Sequence, residues 1–246
     1  MNRFFIPQHW IKGNVVRLEG RYAHQMGHVL RLGPGDSMIV LDNTGHEYDV
    51  EMTAIENDYV IGQIKNQRVC KTEPRSQVTL FQSLLKRDKF EWVLQKCTEV
   101  GVAEIVPVIT RRSLIRTTHL KPEKQERWQT IIREAAEQCT RGRMPVLAAP
   151  INFSTSLERV NHYHLGLIAA PKVDCSSLAT VVKTVLDANP PRVGLWIGPE
   201  GGFDPSEIEE AVGAGAVCVG LGKRILRTET AAVVTCALTL HELGEL

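Results

Sequence analysis

The chain has 246 residues, of which 43% are hydrophobic and 23% are charged, and its formal net charge is +1. This composition is typical of a folded globular protein with one large or two ordinary domains, and it excludes a disordered chain. No apolar run approaches the roughly 20 residues of a membrane span, and residues 1–7 lack the apolar core of a signal peptide. We therefore expect a cytoplasmic protein with no membrane partner.

The near-zero net charge hides an asymmetry along the chain. Residues 108–143 contain nine Lys or Arg and four Glu, whereas residues 195–246 contain three basic and eight acidic residues. The basic stretch has two readings that the sequence leaves open, a solvated helix face or a surface that contacts phosphate groups.

The six cysteines are widely scattered, with no CxxC pair and no Cys/His spacing suited to zinc. We therefore predict no metal site, and we expect the thiols to be reduced and structural.

The first part of the chain has the pattern of a small β-barrel. Short strand-like runs at 15–18, 37–41, 46–52 and 59–64 are separated by turn signals, with one helix-like interruption at 21–30. A polar segment at 71–77, which contains Pro74, is typical of a linker.

After this segment the pattern changes to alternating strands and helices. The predicted strands cover residues 78–84, 104–109, 164–170, 192–198 and 216–221, and the predicted helices cover 89–100, 122–139, 176–188, 205–214 and 231–243. Such alternation indicates an α/β domain with a mostly parallel sheet covered by helices.

Two glycine-rich turns follow the last two predicted strands, one with the sequence GPEGGF from Gly198 and one with LGKRILR from Leu221. A helix start follows the first turn, because Asp204, Pro205 and Glu207 have the spacing of a capping box with proline at the first helical position. Thr228 is the predicted N-cap of the terminal helix. Glycine at the end of a buried strand lets backbone groups approach a ligand closely.

Common ligand motifs do not account for these turns. The chain has no GxGxxG dinucleotide fingerprint, no GxxxxGK[ST] phosphate loop and no GxSxG nucleophile elbow. For any single glycine a local turn requirement is the simplest explanation, but two such turns with charged rims favour a small-molecule site.

Five strings carry a resemblance over nearly the whole chain: NRFFIP near the N-terminus, KCTEVGV at 96–102, EAAEQCTR at 134–141, IGPEGGF at 197–203 and LGKRILRTETA at 221–231. They resemble the RsmE family of S-adenosylmethionine-dependent methyltransferases, which belongs to the SPOUT (α/β-knot) superfamily and acts on N3 of a uridine in small-subunit ribosomal RNA.

The resemblance implies a PUA-like β-barrel RNA-binding domain at 1–72 and a SPOUT methyltransferase domain with a trefoil knot at 73–246. It also implies a homodimer and a 16S ribosomal RNA substrate, which we expect within a small ribosomal subunit.

The resemblance and the two turns together give a predicted S-adenosylmethionine site made largely of backbone. Its predicted residues are Ala169, Ala170, Pro171, Gly198, Pro199, Glu200, Gly201, Gly202, Leu221, Gly222, Ile225 and Leu226. We expect valine at Gly201 to fill this crevice.

Transfer of a methyl group to uridine N3 requires removal of the N3 proton. Glu200 and Glu229 are the nearby carboxylates, and we choose Glu200 because Glu229 has an equally good explanation as a charge at a helix N-terminus. Arg141 and Arg224 are predicted to stabilise a uracil carbonyl oxygen or to bind RNA phosphate, although Arg141 at helical spacing from Glu137 is also typical of an ion pair.

The predicted RNA contacts are exposed arginines of both domains, Arg3, Arg17, Arg21, Arg31, Arg111, Arg112 and Arg116. Two alternatives stay open: a non-catalytic RNA-binding ribosome-assembly factor, and a related knotted methyltransferase that acts on a ribose 2′-hydroxyl or on tRNA.

Overall fold

In a computed structural model, which describes residues 1–56, 58–86, 88–170 and 175–246, the chain divides into two compact units. The first unit comprises Met1–Glu73 and Ala136–Met144, and the second comprises Pro74–Ala135 and Pro145–Leu246. The chain therefore enters the second unit, returns to the first for a short segment and then completes the second.

The first unit contains a six-stranded sheet in the order β1-β4-β5-β6-β3-β2. All its pairings are antiparallel except β1 with β4. The strands are β1 (Arg3–Phe5), β2 (Ile11–Lys12), β3 (Val15–Glu19), β4 (Ser37–Leu41), β5 (His46–Ile55) and β6 (Tyr59–Val69). The predicted β-rich N-terminal part is confirmed, and its two longest strands extend beyond the predicted limits.

Alternation along the strands builds the core of this unit, as β3 shows by burying Val16 and Leu18 while it exposes Arg17. The predicted helix at 21–30 is not continuous: α1 (Arg21–His24) passes into a π-helical turn at Gln25–Val29. Gly27 lies in that turn, and glycine lowers the helix propensity of a short segment.

The second unit contains a parallel sheet in the order β10-β8-β7-β13-β11-β14-β12, with β9 paired to β8. Its strands are β7 (Gln77–Ser83), β8 (Glu104–Ile109), β9 (Val146–Leu147), β10 (Ile151–Asn152), β11 (Leu165–Ala169), β12 (Ser176–Ser177), β13 (Arg192–Ile197) and β14 (Val217–Gly220). The predicted parallel α/β sheet is confirmed.

The helices that join these strands match the predicted alternation, with an additional short helix at Phe153–Leu157 and a shorter helix in place of the one predicted at 176–188. They are α2 (Asp88–Val100), α3 (Pro122–Gln138), α4 (Phe153–Leu157), α5 (Leu178–Val182), α6 (Pro205–Gly213) and α7 (Thr228–Glu242). The helix predicted at 176–188 is confirmed in its central part, where α5 and a 3-10 turn at Lys183–Val185 are helical, whereas Ser176 and Ser177 pair with β14.

One pair of cysteines also differs from expectation. Cys175 and Cys218 form a disulfide with their Cα atoms 5.1 Å apart, whereas Cys97 and Cys236 are free and buried. The pairing follows from the sheet register, because Ser176 of β12 lies opposite Val219 of β14 and the preceding residues are therefore neighbours.

The register also brings three strand ends together. Ala169 at the end of β11 lies opposite Ile197 at the end of β13 on one side and Val219 of β14 on the other. Since parallel strands end at the same edge of a sheet, the carboxyl ends of these three strands lie side by side there.

Within the described ranges, no helix has the length and apolar character needed to cross a membrane.

Candidate functional site

A cavity of about 340 Å³ lies at this edge of the sheet in the second unit. Its walls come from the ends of β11 and β13, the two glycine-rich turns, the first turn of α7 and one side chain of α2. The lining residues are Lys89, Ala169, Ala170, Ile197, Gly198, Pro199, Glu200, Gly201, Gly202, Phe203, Leu221, Gly222, Arg224, Ile225, Leu226, Arg227, Thr228, Glu229 and Ala231. This volume is within the usual range for small-molecule sites.

The backbone of the first glycine-rich turn has a conformation that a hydrogen bond and its glycines determine. The Gly202 amide donates to the Pro199 carbonyl over 2.9 Å, and Gly202 has a φ of 67°, which favours glycine. A Cβ atom at Gly198 would lie 3.0 Å from the Phe203 nitrogen, so a side chain there requires the neighbouring backbone to shift by a few tenths of an ångström.

Gly201 has more room for a side chain than Gly198. A Cβ atom there would lie 3.5 Å from the Arg112 Cβ, which is an ordinary contact distance. Gly201 lines the cavity, and the filling of the crevice by valine at this position stays a prediction. Gly198 is the position where a larger residue disturbs the turn.

The predicted capping box ends this turn and starts α6. The Asp204 carboxylate accepts from the Ser206 amide, and the Glu207 carboxylate accepts from the Asp204 amide over 2.8 Å. Hydrogen bonds from the Ser206 hydroxyl and amide, with a smaller contribution from the Arg112 guanidinium, lower the pKa of the Asp204 carboxyl. The carboxylate is therefore ionised at neutral pH.

Thr228 is not the N-cap of α7. Arg227 occupies that position without a side-chain cap, and Thr228 is the first helical residue. The buried Thr228 hydroxyl instead donates to the Gly198 carbonyl over 2.5 Å and accepts from the Gln82 amide nitrogen over 3.3 Å. It therefore ties α7 and β7 to the first glycine-rich turn.

Two carboxylates line the cavity in different environments. Glu200 is exposed, and one of its oxygens lies 3.4 Å from the Lys86 amide nitrogen. The Glu229 side chain is only 14% exposed, and its Oε1 lies 3.6 Å from the Lys89 ammonium. The buried Oε2 of Glu229 has no hydrogen-bond partner in the part of the chain that the structure describes. Glu229 therefore has, within the described chain, an unused hydrogen-bond acceptor in the cavity wall.

The structure brings together most of the residues predicted to hold a cofactor. Eleven of the twelve line the cavity, and Pro171 lies outside the described residues. The residues that the sequence analysis missed are Lys89, Ile197, Phe203, Arg227, Thr228 and Ala231. Five of these are in or beside the two turns, whereas Lys89 of α2 carries no local sequence signal.

The three predicted catalytic residues are divided between the units. Glu200 and Arg224 line the cavity, and the Arg224 side chain is exposed. Arg141 lies in the first unit, where it is 4% exposed and its Nη2 donates to the Glu73 carboxylate over 3.0 Å. Its role in the reaction stays a prediction.

The predicted RNA-contacting arginines of the first unit differ in exposure. Arg17, Arg21 and Arg31 are exposed. The exposed position expected for Arg3 is wrong, because its side chain is 10% exposed and its Nη2 lies 2.5 Å from Glu47. Burial beside a carboxylate leaves Arg3 poorly placed for phosphate.

The predicted arginines of the second unit are all exposed, but they are engaged differently. The Arg111 guanidinium lies 4.0 Å from Asp204, and Arg116 donates to the Arg111 carbonyl over 2.8 Å. Arg112 donates from Nη1 to the Gly201 carbonyl and from Nη2 to Asp204, both over 3.1 Å. Arg112 therefore contacts the cavity-lining turn.

The described residues contain no group of three or more His, Cys, Asp or Glu side chains placed to hold a metal ion.

Family models match both units of the chain. One described as an RNA methyltransferase domain matches residues 71–240, and one described as an RNA methyltransferase PUA domain matches residues 18–65. With the parallel sheet and the cavity at its carboxyl edge, these matches define an RNA methyltransferase that carries a PUA domain.

Curated relatives specify the family. Ribosomal RNA small subunit methyltransferase E of Synechocystis sp. is 35% identical over 235 residues, which are 94% of this chain and 74% of the relative. The protein of the same description from Bacillus subtilis is 30% identical over 237 residues, which are 94% and 93% of the two chains. The chain belongs to the ribosomal RNA small subunit methyltransferase E family.

Solved structures agree with this assignment. A ribosomal RNA small subunit methyltransferase E from Neisseria gonorrhoeae, bound to S-adenosyl methionine, matches with a TM-score of 0.87 and 29% identity over 98% of this chain and 97% of that one. A Legionella pneumophila methyltransferase in complex with the same cofactor matches with a TM-score of 0.85 and 30% identity over 97% and 96%. The PUA-like first unit and the α/β second unit are thereby confirmed.

The geometry of the first glycine-rich turn predicts which glycine tolerates a side chain. We expect Gly198→Val to weaken binding of S-adenosylhomocysteine, the demethylated form of the cofactor that the resemblance implies, by about tenfold or more, because overpacking displaces the backbone. The matched control, Gly201→Ala, should bind within about twofold of the unchanged protein, because its Cβ meets Arg112 at an ordinary distance.

Isothermal calorimetry measures both affinities, and thermal unfolding checks that each variant is folded. A folded Gly198→Val variant with unchanged affinity, or a Gly201→Ala variant that loses binding, would contradict this geometry.

Proposed function

We propose that this protein transfers a methyl group from S-adenosylmethionine to N3 of a uridine in 16S ribosomal RNA. The observation that carries the proposal is the convergence of two glycine-rich turns on one cavity, in a chain of the ribosomal RNA small subunit methyltransferase E family.

The residues around the cavity fit the proposed cofactor. Ile197 to Gly202 and Leu221 to Gly222 supply backbone groups within reach of an adenine and a ribose, while Phe203 and Leu226 supply apolar contact. Lys89 and Glu229 place a positive and a negative charge in one part of the cavity wall. A nucleoside that carries a zwitterionic amino acid needs this combination of backbone, apolar and charged surface.

When bound, S-adenosylmethionine supplies an electrophilic methyl carbon that N3 attacks as the carbon–sulfur bond breaks, leaving N3-methyluridine and S-adenosylhomocysteine. The protein must hold the uracil in line with that bond and accept the N3 proton. N3 is hidden in a base pair, so the uridine must also be unpaired or flipped out.

We infer that Glu229 is better placed than Glu200 to accept the proton. The exposed Glu200 carboxylate is solvated by water, whereas the buried Oε2 of Glu229 lacks a hydrogen-bond donor among the described residues. An N–H group brought into the cavity would supply that donor. Arg224, an exposed residue that lines the cavity, is proposed to stabilise the uracil oxygen that gains charge when N3 loses its proton.

Exposed arginines are the proposed contacts to RNA phosphate. They are Arg17, Arg21, Arg31, Arg111 and Arg116, all solvent-accessible, and Arg3 is left out because it is buried. Phosphate contacts of this kind supply affinity that falls as salt concentration rises.

The wider organisation is proposed on the resemblance, with support from the fold. We propose domains at 1–72 and 73–246 and a trefoil knot in the second; β14 lies between β11 and β12, which are consecutive in the chain. We propose a homodimer, since Trp92, Ile225 and Leu238 expose large apolar side chains. We propose a ribosomal RNA substrate within a small subunit and, with it, a cytoplasmic location.

The reaction is tested by incubating small ribosomal subunits and their free RNA with the protein and isotope-labelled S-adenosylmethionine. Mass spectrometry of the nucleosides should find the label in N3-methyluridine. Label on a ribose 2′-hydroxyl, or in tRNA alone, would replace this function with that of a related methyltransferase. Cofactor binding without label in any RNA would favour a non-catalytic assembly factor.

The choice between the two carboxylates gives a second prediction. We expect Glu229→Gln to lower kcat by about a hundredfold, because general-base catalysis contributes about 10² or more, and Glu200→Gln to lower it by less than about tenfold. The Glu229→Gln defect should shrink as pH rises, because hydroxide then removes the N3 proton. A larger defect in Glu200→Gln, or a Glu229→Gln defect independent of pH, would contradict the assignment.

A further inference from the structure

We propose that Arg112 is a positioning residue, which holds the first glycine-rich turn in the conformation that binds the cofactor. The inference rests on the proposed function, since the turn is assigned to S-adenosylmethionine. It changes the role of Arg112, which the sequence places among the RNA contacts.

The guanidinium bridges two points of the turn. Nη1 donates to the Gly201 carbonyl over 3.1 Å, and Nη2 donates to Asp204 Oδ2 over the same distance. The planar fork of arginine can satisfy two acceptors at once, which the ammonium of lysine does with less geometric control. Arg112 therefore joins the middle of the turn to the cap of α6.

The turn needs such a restraint because of its composition. Gly198, Gly201 and Gly202 lie within five residues, and glycine loses more conformational freedom on ordering than any other residue. The Thr228 hydroxyl fixes the Gly198 carbonyl at the start of the turn. Arg112 fixes the Gly201 carbonyl, so hydrogen bonds hold the cavity-lining segment at both Gly198 and Gly201.

The backbone that carries Arg112 is itself fixed. The Arg111 amide donates over 2.8 Å to Oε1 of Glu207, a buried residue whose Oε2 accepts from the Asp204 amide. The Ser113 amide donates to the Thr110 carbonyl over 3.1 Å. The backbone next to Arg112 is thus hydrogen-bonded to the same capping box that the Arg112 side chain contacts.

The neighbouring arginine has a different environment. The Arg111 side chain is 63% exposed and its nearest guanidinium nitrogen is 4.0 Å from Asp204, whereas the Arg112 side chain is 46% exposed and closer to the same carboxylate. A phosphate that reached Arg112 would compete with the Asp204 carboxylate and the Gly201 carbonyl. Arg111 is therefore the matched control for a phosphate-contacting arginine.

The test compares binding of S-adenosylhomocysteine and of 16S ribosomal RNA to the full chain. Arg112→Ala should raise the dissociation constant for S-adenosylhomocysteine by about tenfold, because hydrogen bonds to charged groups are lost, and should leave that for RNA within about twofold. Arg111→Ala should raise the dissociation constant for RNA and leave that for S-adenosylhomocysteine within about twofold. In turnover assays Arg112→Ala should raise KM for S-adenosylmethionine and leave KM for RNA unchanged.

A second variant covers the case in which Arg112→Ala does not fold. Asp204→Asn keeps a capping side chain and removes the charge, so the helix start is retained. It should weaken S-adenosylhomocysteine binding by about threefold, and combining it with Arg112→Ala should add little to the single arginine change, since both remove one interaction.

Two results would overturn the proposal while leaving the proposed function intact: unchanged S-adenosylhomocysteine affinity in folded Arg112→Ala and Asp204→Asn, or an Arg112→Ala effect confined to RNA. Failure of the unchanged protein to bind S-adenosylhomocysteine would instead contradict the proposed function.

Discussion

The parallel register of β13, β11 and β14 is the constraint on which the rest of the site depends. Ala169 lies between Ile197 and Val219 across three neighbouring strands, so the carboxyl ends of these strands lie side by side at one edge of the sheet. A shift of one strand would displace its loop and open the cavity. The position of the site is therefore a consequence of backbone pairing in the core.

Four glycines line the cavity, at positions 198, 201, 202 and 222. A Cβ atom at Gly198 would lie only 3.0 Å from the Phe203 nitrogen, and Gly202 has a left-handed conformation. Glycine allows backbone groups to approach a ligand closely, but it also makes the turn costly to order. Thr228 and Arg112 restrain the turn at Gly198 and Gly201, and Gln82 connects the Thr228 hydroxyl to β7. The hydrogen bonds of Thr228, Arg112 and Gln82 therefore stabilise the turn together.

Local patterns in the sequence predicted the parts of the fold that depend on local chemistry. Alternation of strands and helices after residue 77 predicted the parallel sheet, and Asp204, Pro205 and Glu207 predicted the start of α6. Threonine at the start of a helix is typical of an N-cap, whereas the tertiary fold directs the Thr228 hydroxyl to the Gly198 carbonyl.

Other features depend on contacts between distant parts of the chain. Lys89 reaches the cavity from α2, and Arg112 reaches Gly201 across 89 residues, so no local pattern reveals either contact. The Cys175–Cys218 disulfide likewise depends on the pairing of β12 with β14. For Arg3, a charged residue near the N-terminus favoured exposure, whereas Glu47 of β5 pairs with it.

A crystal structure of the protein with S-adenosylhomocysteine would locate the cofactor site. We expect the adenosine group to lie between the turn at Gly198 and the turn at Leu221, in contact with their main-chain groups. An adenosine bound elsewhere, with this cavity filled only by solvent, would contradict the assignment of these turns to the cofactor.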